Sequence, residues 1–98
     1  MFELESGIYE LRYTMKNVEL IEAAAGTSII NLIQGVPPLA ALKSMLGFAL
    51  YNEDGNKVSS KRGVELATEV IEKYGMLGAF TQTIERISED CGFLFREA

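Results

Sequence analysis

The chain has 98 residues, of which 48% are hydrophobic, and a formal net charge of −5. This apolar content, with only two prolines, is typical of a folded domain rather than a disordered segment. The acidic balance excludes the usual nucleic-acid-binding composition, because proteins that bind phosphate backbones concentrate Lys and Arg.

Membrane insertion and export are not indicated. No segment approaches the roughly 18 consecutive apolar residues of a membrane span. Glu3 and Glu5 stand where a signal peptide carries positive charge. A single cysteine, Cys91, has no partner for an intramolecular disulfide. We therefore expect a cytoplasmic protein with no membrane partner.

The N-terminal third predicts a β-hairpin that leads into a helix. Two short alternating runs flank Ser6 and Gly7, which is a hairpin pattern over about residues 2–14. Apolar residues then recur at helical spacing over about residues 15–25. Gly26 follows as a residue suited to a left-handed C-cap.

Two more helices are predicted next. Thr27 and Ser28 supply capping oxygens for a short helix over about residues 28–34. Pro37 and Pro38 open a third helix over about residues 37–52, since proline is tolerated in a first helical turn.

The third helix is the most apolar of the chain. Its apolar residues cover more than half of its circumference, leaving a wedge at Lys43, Ser44 and Gly47 for water. Such a helix is either central to the core or shared with a partner.

The C-terminal half predicts a polar loop at residues 52–56 and amphipathic helices over about residues 60–74 and 76–91. An apolar tail at residues 93–95 follows Gly92 and either packs on the core or is offered to another chain. The fold class expected from these elements is α+β, mostly α. It is one compact domain over residues 1–98, with an N-terminal β-hairpin followed by four to five helices.

Catalytic chemistry is not indicated by the sequence. The chain has no histidine, so the usual Ser-His and Cys-His pairs are excluded. Cys91 lies on the apolar stripe of the last helix, where a small buried residue is expected. Glu65, Glu69 and Glu72 lie on a polar face that we expect to be solvated.

The loop that begins at Asn52 partly matches a calcium-binding EF-hand. Asn52, Asp54 and Asn56 occupy the first, third and fifth positions of such a loop. Lys57 and Gly63 stand where the pattern requires its glycine and its bidentate glutamate. We expect no catalytic residue, no metal and no cofactor.

The order of these elements and several short sequence segments within them resemble one known family, the tail assembly chaperones of long-tailed bacteriophages and prophages. The resemblance extends over nearly the whole chain and rests on element order and size. The segments that carry it are Phe2-Glu-Leu4, Tyr9-Glu-Leu-Arg-Tyr-Thr14, Leu20-Ile-Glu22, Ala25-Gly-Thr-Ser28, Ile29-Ile-Asn-Leu-Ile33 and Cys91-Gly-Phe-Leu-Phe95.

The resemblance implies a non-enzymatic protein of the host bacterial cytoplasm. Members of the family bind the long, apolar, helical tape measure protein, keep it soluble and help to recruit tail tube subunits during tail morphogenesis. Related proteins are commonly made in two forms, the longer by a programmed ribosomal frameshift. The resemblance implies that this sequence would correspond to the shorter form, and it implies nothing about a longer product.

We expect the partner to bind the third helix with help from the apolar tail. The residues expected at that surface are Leu42, Met45, Leu46, Phe48, Leu94 and Phe95. The same surface suits self-association into a homo-oligomer. The alternative function is therefore a small helical adaptor or regulatory protein that dimerises through it and has no enzymatic activity.

Overall fold

The computed structural model describes residues 1–95, except for the side chain of Phe95. Its elements are β1 (Phe2–Leu4), β2 (Gly7–Leu11), α1 (Met15–Ala25), α2 (Ile29–Ile33), α3 (Leu39–Gly47), β3 (Leu50–Asn52), α4 (Ser60–Tyr74), α5 (Met76–Asp90) and a C-terminal 3-10 helix (Gly92–Phe95). The protein is α+β and mostly helical, as the sequence predicted. None of the helices described is long and apolar enough to cross a membrane.

Helix ends follow the capping residues of the sequence. The hydroxyl of Thr14 accepts the N–H of Asn17 at the start of α1, and Ser28 and Ser59 cap α2 and α4 in the same way. Gly26 ends α1 in the left-handed conformation with a φ of 72°. The observed bounds of α1, α2, α4 and α5 therefore lie within two residues of the predicted ones.

The sheet has three antiparallel strands in the order β1-β2-β3. Tyr9 of β2 lies between Phe2 of β1 and Asn52 of β3. Each element of regular structure from β1 to α5 contributes to a common core of buried apolar side chains, against which Leu94 of the C-terminal 3-10 helix packs. The predicted hairpin thus supplies two of the three strands, and the third strand comes from the middle of the chain.

That third strand corrects the predicted helix over residues 37–52. α3 covers only Leu39–Gly47, and the chain after it extends into β3. Pro38 has extended backbone, so the helix begins after both prolines. Ala49 closes the last turn by donating its N–H to the carbonyl of Leu46 at 3.1 Å. A short apolar run fits a buried strand as well as a buried helix, and pairing with β2 decides between them here.

Two glycines form the contact between α3 and α4. A Cβ atom built on Gly63 would lie 2.0 Å from the carbonyl oxygen of Gly47, and one on Gly47 would lie 2.8 Å from the backbone nitrogen of Val64. Both glycines are buried. The prediction that Gly47 faces water is therefore wrong, because this residue lies where the two helix backbones meet.

The outer edge of β1 is covered by side chains of α4. The hydroxyl of Tyr74 accepts the N–H of Glu3 at 3.1 Å, and Glu69 Oε1 accepts the N–H of Glu5 at 3.0 Å. Lys73 donates to the carbonyl of Glu3. Backbone groups that an edge strand usually leaves open are thus hydrogen-bonded within the chain.

Candidate interaction surface

Three of the residues predicted to bind a partner lie in the core. Leu42, Met45 and Leu46 are 0% exposed. α3 is in contact with α1, α4 and α5, so the face that carries Leu42, Met45 and Leu46 is covered by this chain's own helices, whereas Leu39 in the first turn is 50% exposed. The expectation that these residues form an exposed apolar surface is wrong, and the central position considered for the third helix is the observed one.

The other predicted partner residues lie nearer the surface. Phe48 is half-buried and packs against the core at the C-terminal end of α3. Leu94 is half-buried in the C-terminal 3-10 helix. Phe95 is the last residue of that helix, and its side chain is outside the described part of the chain.

Leu94 lines an apolar groove that we call the α1–α2 groove. The groove has a volume of about 240 Å³ and is formed by α1, α2 and the C-terminal 3-10 helix. Met15 is 58% exposed and Ile30 is 42% exposed at this groove. Its lining residues are Met15, Val18, Glu19, Glu22, Ile29, Ile30 and Leu94.

Local sequence determines which side chains reach the groove. The residues of α1 that line it are spaced three and four positions apart, which places them on one face of the helix. Glu22 Oε2 accepts the N–H of Ile29 at 2.7 Å and so ties the start of α2 to α1. Ile29 is buried, whereas its neighbour Ile30 is exposed at the groove.

The C-terminal wall of the groove is anchored beneath α1. Asp90 Oδ2 accepts the N–H of Tyr13 at 2.8 Å, and the thiol of Cys91 donates to the carbonyl of Tyr13 at 2.9 Å. Leu94 then donates its N–H to the carbonyl of Cys91 at 2.9 Å. These bonds hold the 3-10 helix beside the start of α1.

Burial perturbs two groups in this anchor. Desolvation raises the pKa of the Tyr13 phenol well above its ordinary range, and the charge of Asp90 acts in the same direction. Desolvation also raises the pKa of the Cys91 thiol, again with a contribution from Asp90. Cys91 is 0% exposed, so the prediction of a small buried residue is confirmed.

Several of the residues considered for metal binding make other contacts. Asn52 Oδ1 accepts the backbone N–H groups of both Asp54 and Asn56 at 3.0 Å, which closes the loop as a turn. Glu65 pairs with Arg62 at 3.2 Å, and Glu69 holds the edge of β1. No group of three or more His, Cys, Asp or Glu side chains placed to hold a metal ion occurs within residues 1–95.

Comparison of the chain with known protein families, curated proteins and solved structures found no match.

Sequence reasoning identified Leu94 but missed the rest of the groove. The signal at Ile30 was available, because four of the five residues of α2 are large and apolar and so short a helix cannot bury its whole circumference. Met15 gave no comparable signal, since one apolar residue in a first helical turn is ordinary on a protein surface.

Proposed function

We propose that the protein is a tail assembly chaperone of a long-tailed bacteriophage or prophage and acts in the cytoplasm of the bacterial host. In this role it binds the tape measure protein, keeps it soluble and helps to recruit tail tube subunits, without catalysis. The observation that carries the proposal is the α1–α2 groove, where Met15, Ile30 and Leu94 offer apolar surface on an acidic protein. The resemblance in sequence supplies the identity of the partner.

The physical basis of this proposal is that the groove binds the apolar face of a partner helix for a limited time and keeps it away from water. A helix lays anchors spaced three or four residues apart into an apolar groove. Each Å² of apolar surface removed from water contributes about 25 cal/mol. The formal charge of −5 on the chain disfavours association of the chain with copies of itself. The binding surface that we propose is therefore the α1–α2 groove instead of α3. Leu94 belongs both to the surface expected from the sequence and to the groove.

The alternative function is a dimerising adaptor that uses the same groove. Exposed apolar side chains at Met15 and Ile30 favour it as they favour the chaperone, since either partner buries them. The two functions differ in what removes this surface from water, namely a second copy or a different protein.

Co-expression tests the proposal. The chain is produced together with the tape measure protein encoded in the same phage or prophage genome, and the soluble fraction of the latter is measured. We expect the wild-type chain to raise that fraction severalfold and Ile30→Asp to lose most of the rescue. Leu77→Asp is the matched control, because Leu77 is 66% exposed on α5 and does not line the groove.

Two results contradict the proposal. A soluble fraction that the wild-type chain leaves unchanged removes the chaperone function. Sedimentation that shows a stable dimer of the chain alone, dissociated by Ile30→Asp but not by Leu77→Asp, supports the adaptor instead.

A further inference from the structure

We infer that the α1–α2 groove selects a basic amphipathic helix, in which Lys or Arg residues flank the apolar anchors. This inference rests on the proposed function, because it names the chemistry of the segment that the partner offers to the groove. The charged side chains at the groove support it. Of the seven lining residues, the two that carry charge are Glu19 and Glu22.

Glu19 and Glu22 lie three residues apart on the groove face of α1. Residues three apart on a helix are neighbours, and like charges at this spacing repel. None of the ion pairs found within the described residues involves Glu19 or Glu22. A cation placed beside them relieves the repulsion, so the groove gains more from a basic neighbour than from a neutral one.

The apolar part of the groove lies next to this acidic pair. Met15 lies four residues before Glu19 on the same face of α1, and Ile30 follows the residue whose N–H is held by Glu22. A helix whose apolar anchors contact Met15, Ile30 and Leu94 therefore has its flanking positions near carboxylates. Positive charge at those positions gives complementarity across the edge of the interface.

The same charges disfavour a second copy as the occupant. A symmetric dimer uses the same surface on both subunits, so an interface formed by the two grooves would contain Glu19 and Glu22 of both subunits. Like charges facing each other across an interface cost free energy. The net charge of −5 on each chain adds to this repulsion.

The experiment uses two synthetic peptides of about 18 residues, long enough to be stable as a helix, with leucines at helical spacing. One peptide has lysines beside the leucines, and the other has glutamates at the same positions. Calorimetry at about 50 mM and about 300 mM salt measures the affinity of each peptide. The two conditions separate the contribution of charge from that of apolar contact, because salt screens exposed charges. We expect the basic peptide to bind at least about tenfold more tightly than the acidic one at low salt.

Matched variants locate the effect in the groove. Glu19→Lys is expected to weaken binding of the basic peptide about fivefold, in line with exposed ion pairs, and to reduce its salt dependence. Glu72→Lys makes the same change of net charge on exposed surface of α4, away from the groove, and is expected to leave binding unchanged. Ile30→Ser is expected to abolish binding of both peptides, and thermal melting checks that each variant is folded.

Equal affinity for the two peptides, or an equal loss with Glu19→Lys and Glu72→Lys, overturns the inference. A dimer that Ile30→Ser dissociates also overturns it, since the occupant is then a second copy. Failure here is separable from failure of the proposed function. Rescue of the tape measure protein without charge selection removes only the inference, whereas charge-selective peptide binding without rescue removes only the chaperone role.

Discussion

α3 and the α1–α2 groove use apolar residues in opposite ways. α3 is the more apolar of the two, yet Leu42, Met45 and Leu46 have no exposed surface. At the groove, Met15 of α1 is 58% exposed and Ile30 of α2 is 42% exposed. These three apolar residues of α3 therefore build the core, whereas Met15 and Ile30 at the groove remain exposed to solvent.

Position in the packing explains the difference. α3 is in contact with three other helices, whereas α2 has only five residues and contacts mainly α1. A helix that contacts one neighbour buries one face and leaves the other open to solvent.

The strongest test of this comparison is Gly63→Ala at the contact between α3 and α4. The new Cβ atom would lie 2.0 Å from the carbonyl oxygen of Gly47, so the two helices must separate. We expect a loss at or beyond the upper end of the ~1–3 kcal/mol typical of overpacking, measured by urea denaturation.

Gly78→Ala is the matched control for that change. Gly78 is an exposed glycine within α5, and the nearest atom to its added Cβ atom is Tyr74 Cβ at 4.0 Å. Alanine there is expected to stabilise the fold by about 0.5–1 kcal/mol, because it is the better helix former. A Gly63→Ala protein as stable as wild type would contradict the close packing of α3 on α4.

A loss of similar size is expected from Leu46→Ala, in comparison with a small loss from Ile30→Ala. Truncation of the fully buried Leu46 is expected to cost about 2–5 kcal/mol. Ile30→Ala, at a side chain 42% exposed, is expected to change stability by no more than about 1 kcal/mol. Thermal melting of the isolated variants measures both, and similar losses would remove the distinction between core and groove.

The smallest effect expected is a decrease in the free energy of unfolding at alkaline pH. It comes from the two buried groups of the anchor beneath the groove. Tyr13 and Cys91 have raised pKa values in the fold, so the unfolded chain loses these protons first. Their contribution to stability is complete below the ordinary pKa values of about 8.5 for Cys and about 10 for Tyr.

The free energy of unfolding should fall as pH rises above this range, by up to about 1.4 kcal/mol per pH unit for each group. Denaturation at a series of pH values measures the slope. Tyr13→Phe is expected to reduce it above about pH 10. An unchanged slope in Tyr13→Phe would show that the buried phenol is not its source.

The elements that the sequence predicted well are those whose information is local. Thr14, Ser28 and Ser59 cap helices within three residues of themselves, and Gly26 ends α1 through its own backbone. Residues 60–74 carry apolar side chains every three or four positions, which is the spacing of an amphipathic helix, and α4 has those bounds.

The elements that it missed depend on residues far apart in the chain. β3 is a strand because Leu50 lies opposite Leu11, and an apolar run does not disclose its partner. The groove joins Met15, Ile30 and Leu94 from three separate elements. Its acidic pair was visible in the sequence, but which side of α1 faced solvent was not.

The covered edge of β1 determines how this protein can associate. An open edge strand recruits further strands and leads toward fibrous polymers. Here Tyr74, Glu69 and Lys73 already occupy the backbone groups of Glu3 and Glu5, so a growing sheet must first displace α4. Hydrogen bonding within the chain therefore disfavours growth of a fibril from this edge of the sheet.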